Sequence, residues 1–124
     1  MRIELPWPSP ILSPNARAHW AKKSSATRAY RRACYYLARE AVKLATAESP
    51  VHMTVTFHPP DKRRRDRDNM IASMKAGMDG LADALGIDDS QFIPTYHIGD
   101  PVKGGRVTIK ITSAMRIPMK GTIS

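Results

Sequence analysis

The chain has 124 residues, and its 20 lysines and arginines outnumber 11 aspartates and glutamates to give a formal net charge of +9. This length predicts one domain with a modest core and no separate regulatory module. The single cysteine, Cys34, excludes an intrachain disulfide and a thiolate metal cage. No cationic segment followed by an apolar one opens the sequence and no apolar run approaches membrane-spanning length, so we expect neither a signal peptide nor a membrane-spanning helix. We therefore expect a cytoplasmic protein with a polyanionic partner, although charge alone would equally fit ribosomal-type binding or attraction to a membrane surface.

The first predicted strand covers residues 2–5, where polar and apolar side chains alternate before the prolines at positions 6, 8 and 10. An irregular loop is expected to follow, to about Pro14. Its Trp7 is predicted to pack in the core rather than to stack on a base, because isolated aromatic residues between prolines usually pack.

Residues 15–47 are predicted to be helical over their later two thirds. An apolar stripe recurs at steps of three and four residues: Thr27, Tyr30, Cys34, Leu37, Ala41 and Leu44. A basic stripe lies roughly opposite: Arg28, Arg32, Arg39 and Lys43. Such a stripe is a solvated surface in most proteins, but Glu40 is the only acidic residue in this helix, so phosphate contact is a fair alternative.

The next predicted strand covers residues 51–57, where apolar and polar side chains alternate after Pro50 breaks the helix. His52 and His58 have side chains suited to metal binding or acid–base chemistry. We interpret both as surface or sheet residues, unless His58 reaches a phosphate.

Residues 59–91 combine a basic run with two acidic pairs: PPDKRRRDRDNMIASMKAGMDGLADALGIDDSQ. Asp66 and Asp68 are two residues apart, so an extended backbone places both on one face, where they can share a ligand. The apolar helical spacing starts only after Asp68 and ends at Gly86. We therefore expect Asp66 just before a helix and Asp68 near its first turn.

Two interpretations of these carboxylates remain open. In the first, Asp68 or Asn69 is a helix N-cap and Asp66 pairs with neighbouring arginines. In the second, the chain folds back after Gly86 and brings a carboxylate of the Asp88–Asp89 pair to the first pair. Three such carboxylates would make a hard oxygen site suited to Mg²⁺ or Mn²⁺.

Two further strands are predicted at residues 92–98 and 107–111, with turns between them at residues 99–101 and 104–105. Lys103 and Arg106 flank the two glycines, which would let backbone and charge approach a phosphate closely; a plain hairpin is the alternative. Residues 114–124 show no periodicity and are expected to form a flexible tail.

Taken together, these segments resemble the RusA-like Holliday junction resolvases of bacteria and prophages. The shared motifs keep their order and approximate spacing: LPWP at 5–8, RRRDRDN at 63–69, KAGMDGL at 75–81, DDSQ at 88–91 and KGGR at 103–106. The resemblance implies divalent metal binding by Asp66, Asp68 and Asp89.

One position departs from the family pattern. Ala72 stands where the family's functional lysine is expected, about one turn after the DxDN motif, and Lys75 is aligned with it through the shared KA-x-x-D element. This alignment implies an extra helical turn, and a single helix would place Lys75 on the same side as Asp68. The alternative is a surface ion pair between Lys75 and Asp79.

The residues and the resemblance together predict an α+β fold. A small mixed sheet of about four strands packs against two main helices in one domain, residues 1–113. The expected function is Mg²⁺-dependent resolution of four-way DNA junctions by paired symmetric nicks in recombination and repair, performed by a homodimer without a small-molecule cofactor or membrane partner. The predicted catalytic residues are Asp66, Asp68, Asp89 and Lys75.

Predicted DNA contacts are Arg63, Arg64, Arg65, Arg67, Lys103, Arg106, Arg28 and Arg32. Two other functions are compatible with the composition. The first is a non-catalytic basic protein that binds branched or duplex DNA. The second is an RNA-processing nuclease, for which the sequence offers no RNA-recognition motif.

Overall fold

A computed structural model describes residues 1–43, 45–113 and 115–116 of the chain. The helices in these residues are α1 (Trp20–Val42), α2 (Arg67–Ser73) and α3 (Lys75–Leu85). The strands in the same described residues are β1 (Arg2–Pro6), β2 (Thr46–Ala47), β3 (Val51–His58), β4 (Phe92–Ile98), β5 (Arg106–Ile111) and β6 (Met115–Arg116). Short 3₁₀ turns occur at Pro10–Leu12 and Asp89–Gln91.

The main sheet has the strand order β1-β5-β3-β4. Strand β3 pairs antiparallel with β5 and parallel with β4, so the sheet is mixed and the predicted α+β class is confirmed. Because β4 and β5 lie on opposite sides of β3, residues 99–105 connect two strands that do not pair with each other. The plain hairpin considered for this segment is therefore wrong.

One face of the sheet forms the core together with the helices. Alternation along β3 buries Val51, Met53, Val55 and Phe57, and leaves the polar residues between them on the other face. Helices α1 and α3 come into direct backbone contact at Gly80, where an added side-chain carbon would lie 2.3 Å from the carbonyl oxygen of Arg31. A glycine is therefore needed where the two helices touch.

Helix α1 differs from the prediction in the stripe that it buries. The buried residues are Tyr30, Cys34, Ala38 and Val42, at steps of four. Thr27, Leu37 and Ala41 are exposed, and Leu44 lies outside the described residues. Only a narrow line of α1 contacts the core, so small residues such as Ala38 pack inside while Leu37 is 40% exposed.

The helix predicted after Asp68 is two helices. The Ser73 hydroxyl donates to the carbonyl of Asn69 at 2.7 Å, a side-chain bond that competes with the helical ladder and bends helices. Met74 then ends α2 with its N–H bonded to the carbonyl of Ile71. Asp68 and Lys75 therefore lie on two successive helices rather than on the single helix that was predicted. Gly86 ends α3 with a φ of 68°, as predicted.

Residues 115–116 lie in the predicted C-terminal tail and form β6, which pairs with β2 in a separate two-stranded sheet. The rest of that predicted tail falls outside the described residues. In the part of the chain that the structure describes, every helix is too short or too polar to cross a membrane.

Candidate active site

The turn that carries Asp66 and Asp68 opens helix α2. Asp66 has an extended backbone and caps the helix, with its Oδ1 accepting the N–H of Asp68 at 2.9 Å. Asp68 lies in the first turn, and both side chains are exposed. The predicted positions of both residues are confirmed, but the N-cap is Asp66 rather than Asp68 or Asn69.

Arg67 joins this turn to the sheet. Its Nη2 donates to the carbonyl of Tyr96 on β4 at 3.0 Å, and the Tyr96 ring stacks on Phe57 at 6.0 Å between centroids. Arg67, predicted as a DNA contact, is thus engaged in fixing α2 against β4.

Arg65 is also held inside the protein. Its Nη1 donates to the Asp61 carboxylate at 2.9 Å and to the carbonyl of Arg63 at 3.0 Å, and its guanidinium lies 5.7 Å from the centroid of the Trp7 ring. The side chain is 14% exposed, and its hydrogen bond holds the pKa of Asp61 below the usual range. By contrast, Arg63 and Arg64 are exposed, and neither guanidinium bonds to another described residue.

Lys75, the first residue of α3, bridges two carboxylates. Its Nζ donates to Asp79 Oδ1 at 2.9 Å and also to Asp89 Oδ2. The Asp89 bond, followed by the Asp79 bond, raises the pKa of Lys75, and Lys75 in turn lowers the pKa of Asp89. The Lys75–Asp79 pair considered as an alternative is present, and it coexists with a contact to the predicted metal ligand Asp89.

The two members of the second acidic pair have different positions. Asp88 caps the 3₁₀ turn by accepting the N–H of Ser90 at 3.3 Å, whereas Asp89 points to Lys75. Asp88 and Asp89 therefore have different partners, and the assignment of Asp89 as a metal ligand stays a prediction.

The carboxylates can be compared with the requirements of Mg²⁺ or Mn²⁺. Their hard oxygen donors and solvent exposure fit such an ion. However, over residues 1–43, 45–113 and 115–116, no three His, Cys, Asp or Glu side chains are arranged to hold a metal together. Asp66 and Asp68 share one turn, while Asp89 has the ammonium of Lys75 as its cationic partner.

Candidate residues line two spaces beside α2. A groove of about 460 Å³ lies between the helices and β4, and its wall includes Ala72, Lys75, Asp89 and Tyr96. A cavity of about 380 Å³ lies between α2 and the N-terminal loop, and its wall includes Asp66 and Trp7. Asp89 therefore opens onto the groove and Asp66 onto the cavity, and Asp68 lines neither of them.

The remaining predicted DNA contacts are spread over the surface. Lys103 is exposed, and Arg106 lies 3.6 Å from Glu4 on the neighbouring strand. Arg28 and Arg32 are exposed on α1 and line a groove of about 450 Å³.

The fold gives His58 and Trp7 specific contacts that add to their predicted roles. The Nδ1 of His58 lies 2.9 Å from the carbonyl of Asp100, so this nitrogen carries the proton, and the interpretation of His58 as a sheet residue agrees with this contact. Trp7 packs edge-on against Phe57 at 6.1 Å, in agreement with its predicted core role, but it also lines the cavity beside Asp66. That second position has no sequence signal, because it depends on the loop folding back onto α2.

The comparisons with known proteins cover most of the chain. Residues 8–112 match the family model described as Endodeoxyribonuclease RusA. An uncharacterized protein of Xylella fastidiosa strain Temecula1 is 42% identical over 114 residues, which cover 89% of this chain and 74% of that protein.

Two other relatives carry a functional name. The Crossover junction endodeoxyribonuclease RusA of Escherichia coli strain K12 is 32% identical over 118 residues, covering 89% of this chain and 92% of the relative. The protein of the same name from Enterobacteria phage 82 is 42% identical over 65 residues, covering 51% and 52%. The chain therefore belongs to the RusA endodeoxyribonuclease family.

Proposed function

We propose that this protein is a metal-dependent endonuclease that resolves four-way DNA junctions by paired symmetric nicks in DNA recombination and repair. The supporting observation is the contact between Lys75 and Asp89 in the groove bordered by α2, the helix whose first turn presents Asp66 and Asp68. Two relatives are named crossover junction endodeoxyribonucleases, which supports the same substrate here. Such a substrate places the protein in the cytoplasm.

Three carboxylates are the proposed metal ligands: Asp66, Asp68 and Asp89. A bound Mg²⁺, or Mn²⁺ in its place, would polarise the scissile phosphate and lower the pKa of a water molecule. Asp89 would join this set through its Oδ1, since only its Oδ2 accepts the ammonium of Lys75. Asp79 also accepts a hydrogen bond from that ammonium, so Lys75 stays at the groove. Its positive charge would offset the negative charge that develops on the phosphate.

The DNA backbone is proposed to contact cations that have no partner inside the described chain, foremost Arg63, Arg64 and Lys103. Arg28 and Arg32 on α1 extend this surface. Arg65, Arg67 and Arg106 already bond to the protein, so their main contribution is to hold the loop, α2 and the sheet in place.

A homodimer completes the proposed mechanism. A four-way junction has approximate two-fold symmetry and requires two opposed nicks, whereas this chain carries one set of candidate carboxylates. A C₂ dimer supplies the second set. Light scattering of the protein, free and on a junction, tests this point. A mass near 13.8 kDa for the free protein and a complex with one chain per junction, together with paired nicks, would refute the dimer.

The absence of a grouped carboxylate triad among the described residues favours a second candidate, a non-catalytic protein that binds branched DNA. In this alternative Asp66 is only a helix cap and Asp89 only an ion-pair partner. Both functions predict salt-sensitive DNA binding, but only the nuclease requires the carboxylates and a divalent ion.

The deciding experiment incubates the protein with a synthetic four-way junction and a matched duplex, with and without Mg²⁺. We expect paired nicks in the junction with Mg²⁺ only, and we expect Asp66→Asn, Asp68→Asn and Asp89→Asn each to remove most cleavage while junction binding persists.

Asp88→Asn is the matched control, because an asparagine oxygen can still cap the 3₁₀ turn. Its cleavage should stay near that of the unchanged protein. Binding without any metal-dependent nick would favour the non-catalytic alternative, and full activity in one of the three variants would exclude that residue as a ligand.

A further inference from the structure

We infer that the cavity beside Asp66 binds an unstacked nucleobase of the DNA substrate, an inference that rests on the proposed function. The cavity has a volume of about 380 Å³. Its apolar wall includes Trp7, Pro10, Pro60 and Met70, and its polar wall includes Arg63 and Asn69. Apolar walls with a few polar groups are typical of sites for small planar ligands.

The indole of Trp7 is fixed in this wall. Phe57 packs against it at 81° between ring planes, and Arg65 covers it at 5.7 Å. Gly105 abuts the base of the side chain: a carbon added to this glycine would lie 2.9 Å from Trp7 Cβ and Cγ. Gly105 also has a φ of 70°, so both conformation and space require glycine here. Because Phe57, Arg65 and Gly105 hold the Trp7 side chain in place, this wall needs little reorganisation when a ligand binds.

Three polar groups of the wall have no hydrogen bond to any described residue: the Trp7 indole N–H, the Arg63 guanidinium and the Asn69 side-chain amide. Other polar groups of the wall are already bonded. The Ser73 hydroxyl donates to the carbonyl of Asn69, and the Ser9 hydroxyl accepts the N–H of Ile11. The cavity thus keeps unpaired donors beside apolar surface.

This combination fits a nucleobase better than a phosphate. A base offers apolar faces and an edge of carbonyl and ring-nitrogen acceptors, which arginine and asparagine recognise by paired hydrogen bonds. A phosphate would meet the Asp66 carboxylate in the same wall. Since Asp66 is also a proposed metal ligand, the captured base would flank the scissile phosphate, and its identity would contribute to the choice of cleavage position.

The test uses the full chain, labelled with ¹⁵N and kept free of divalent metal, and follows its indole N–H signals by NMR. The sequence has two tryptophans, and Trp20 is 75% exposed, so Trp20→Phe assigns the Trp7 signal without disturbing the core. Each of the four deoxynucleoside 5′-monophosphates is titrated. We expect a saturable shift of the Trp7 signal with a Kd on the order of 1 mM for at least one base.

Asn69→Ala and Arg63→Ala should each weaken this affinity by about tenfold. Asn15→Ala and Arg17→Ala are matched controls on residues outside the cavity wall, and they should leave the affinity unchanged. Deoxyribose 5-phosphate, which lacks a base, should not shift the Trp7 signal.

Three results would overturn the inference: no Trp7 shift with any nucleotide, an equal shift with deoxyribose 5-phosphate, or unchanged affinity in both cavity variants. Junction cleavage is measured on the same preparations after Mg²⁺ is added. Cleavage without a Trp7 response refutes the base site alone, whereas a base-dependent Trp7 response without cleavage supports the site and refutes the proposed nuclease.

Discussion

Replacement of Gly80 by alanine should destabilise the fold by forcing α1 and α3 apart. The new Cβ would lie 2.3 Å from the Arg31 carbonyl oxygen and 3.0 Å from the backbone nitrogen of Tyr35. Both are backbone atoms and cannot swing aside, so the helices must separate by about 1 Å to reach van der Waals distance. Overpacking of this kind costs about 1–3 kcal/mol, and the separation of two packed helices places Gly80 at the upper end, about 3 kcal/mol.

An opposing effect reduces the net change. Alanine is favoured over glycine inside a helix by about 1 kcal/mol, so we expect a net decrease of about 2 kcal/mol in the free energy of unfolding. For a chain of this size, that decrease lowers Tm by about 6–12 °C. Thermal unfolding followed by circular dichroism, together with urea titration, measures both quantities.

Gly77→Ala on the same helix is the matched control. A carbon added there would meet side-chain atoms of Tyr30, Met74 and Cys34, at 2.8, 3.0 and 3.2 Å. Side chains can move more easily than a backbone, so Gly77→Ala should be less destabilising than Gly80→Ala. The reverse order, or an unchanged Tm in Gly80→Ala, would refute the close contact between α1 and α3.

Further predictions concern the site and the core. Lys75→Ala should slow single-turnover cleavage by about a hundredfold with little change in affinity, whereas a mere surface pair contributes about 0.3–0.5 kcal/mol and its removal would leave the rate intact. Joint replacement of Arg63 and Arg64 by alanine should reduce the slope of log affinity against log salt concentration for junction binding by about 0.9 for each phosphate that is no longer neutralised. An unchanged slope would place the DNA elsewhere. Burial raises the pKa of the Cys34 thiol to about 11 from 9.0. The folded state therefore keeps this proton while the unfolded state releases it, so Cys34 contributes stability that is present below pH 9 and is lost between about pH 9 and 11. Urea titrations should show a smaller decrease in stability over this range in Cys34→Ala than in the unchanged protein, and equal decreases would contradict the assignment.

Local patterns in the sequence were sufficient for much of the fold. Strict alternation predicted β3, and the onset of apolar helical spacing after Asp68 placed the DxD turn at the start of α2. Gly86 marked the end of α3 because its backbone conformation is one that glycine adopts readily.

Features that depend on distant parts of the chain could not be predicted in this way. The parallel pairing of β3 with β4 depends on where α2 and α3 pack, and the contact of Lys75 with Asp89 depends on that packing as well. The sequence of α1 allows apolar steps of both three and four residues, and only the width of the contact with α3 decides which of these residues are buried. The buried stripe was misassigned for this reason. The break at Met74 coincides with the bond from the Ser73 hydroxyl to the Asn69 carbonyl, a partner that the sequence does not specify.

The break at Met74 separates the DxD turn from Lys75, and this separation affects which positions along the chain can carry the lysine. In a continuous helix, a catalytic lysine can lie only at positions that follow the 3.6-residue period from the DxD motif. Here Lys75 begins a second helix after the break at Met74, and its ammonium is held by bonds to Asp79 and Asp89. We therefore expect that a lysine displaced along the chain, as in the alignment that places Ala72 at the family position, can still face a candidate carboxylate. In such a family, function would depend more on the direction of the second helix than on the number of residues between the motifs.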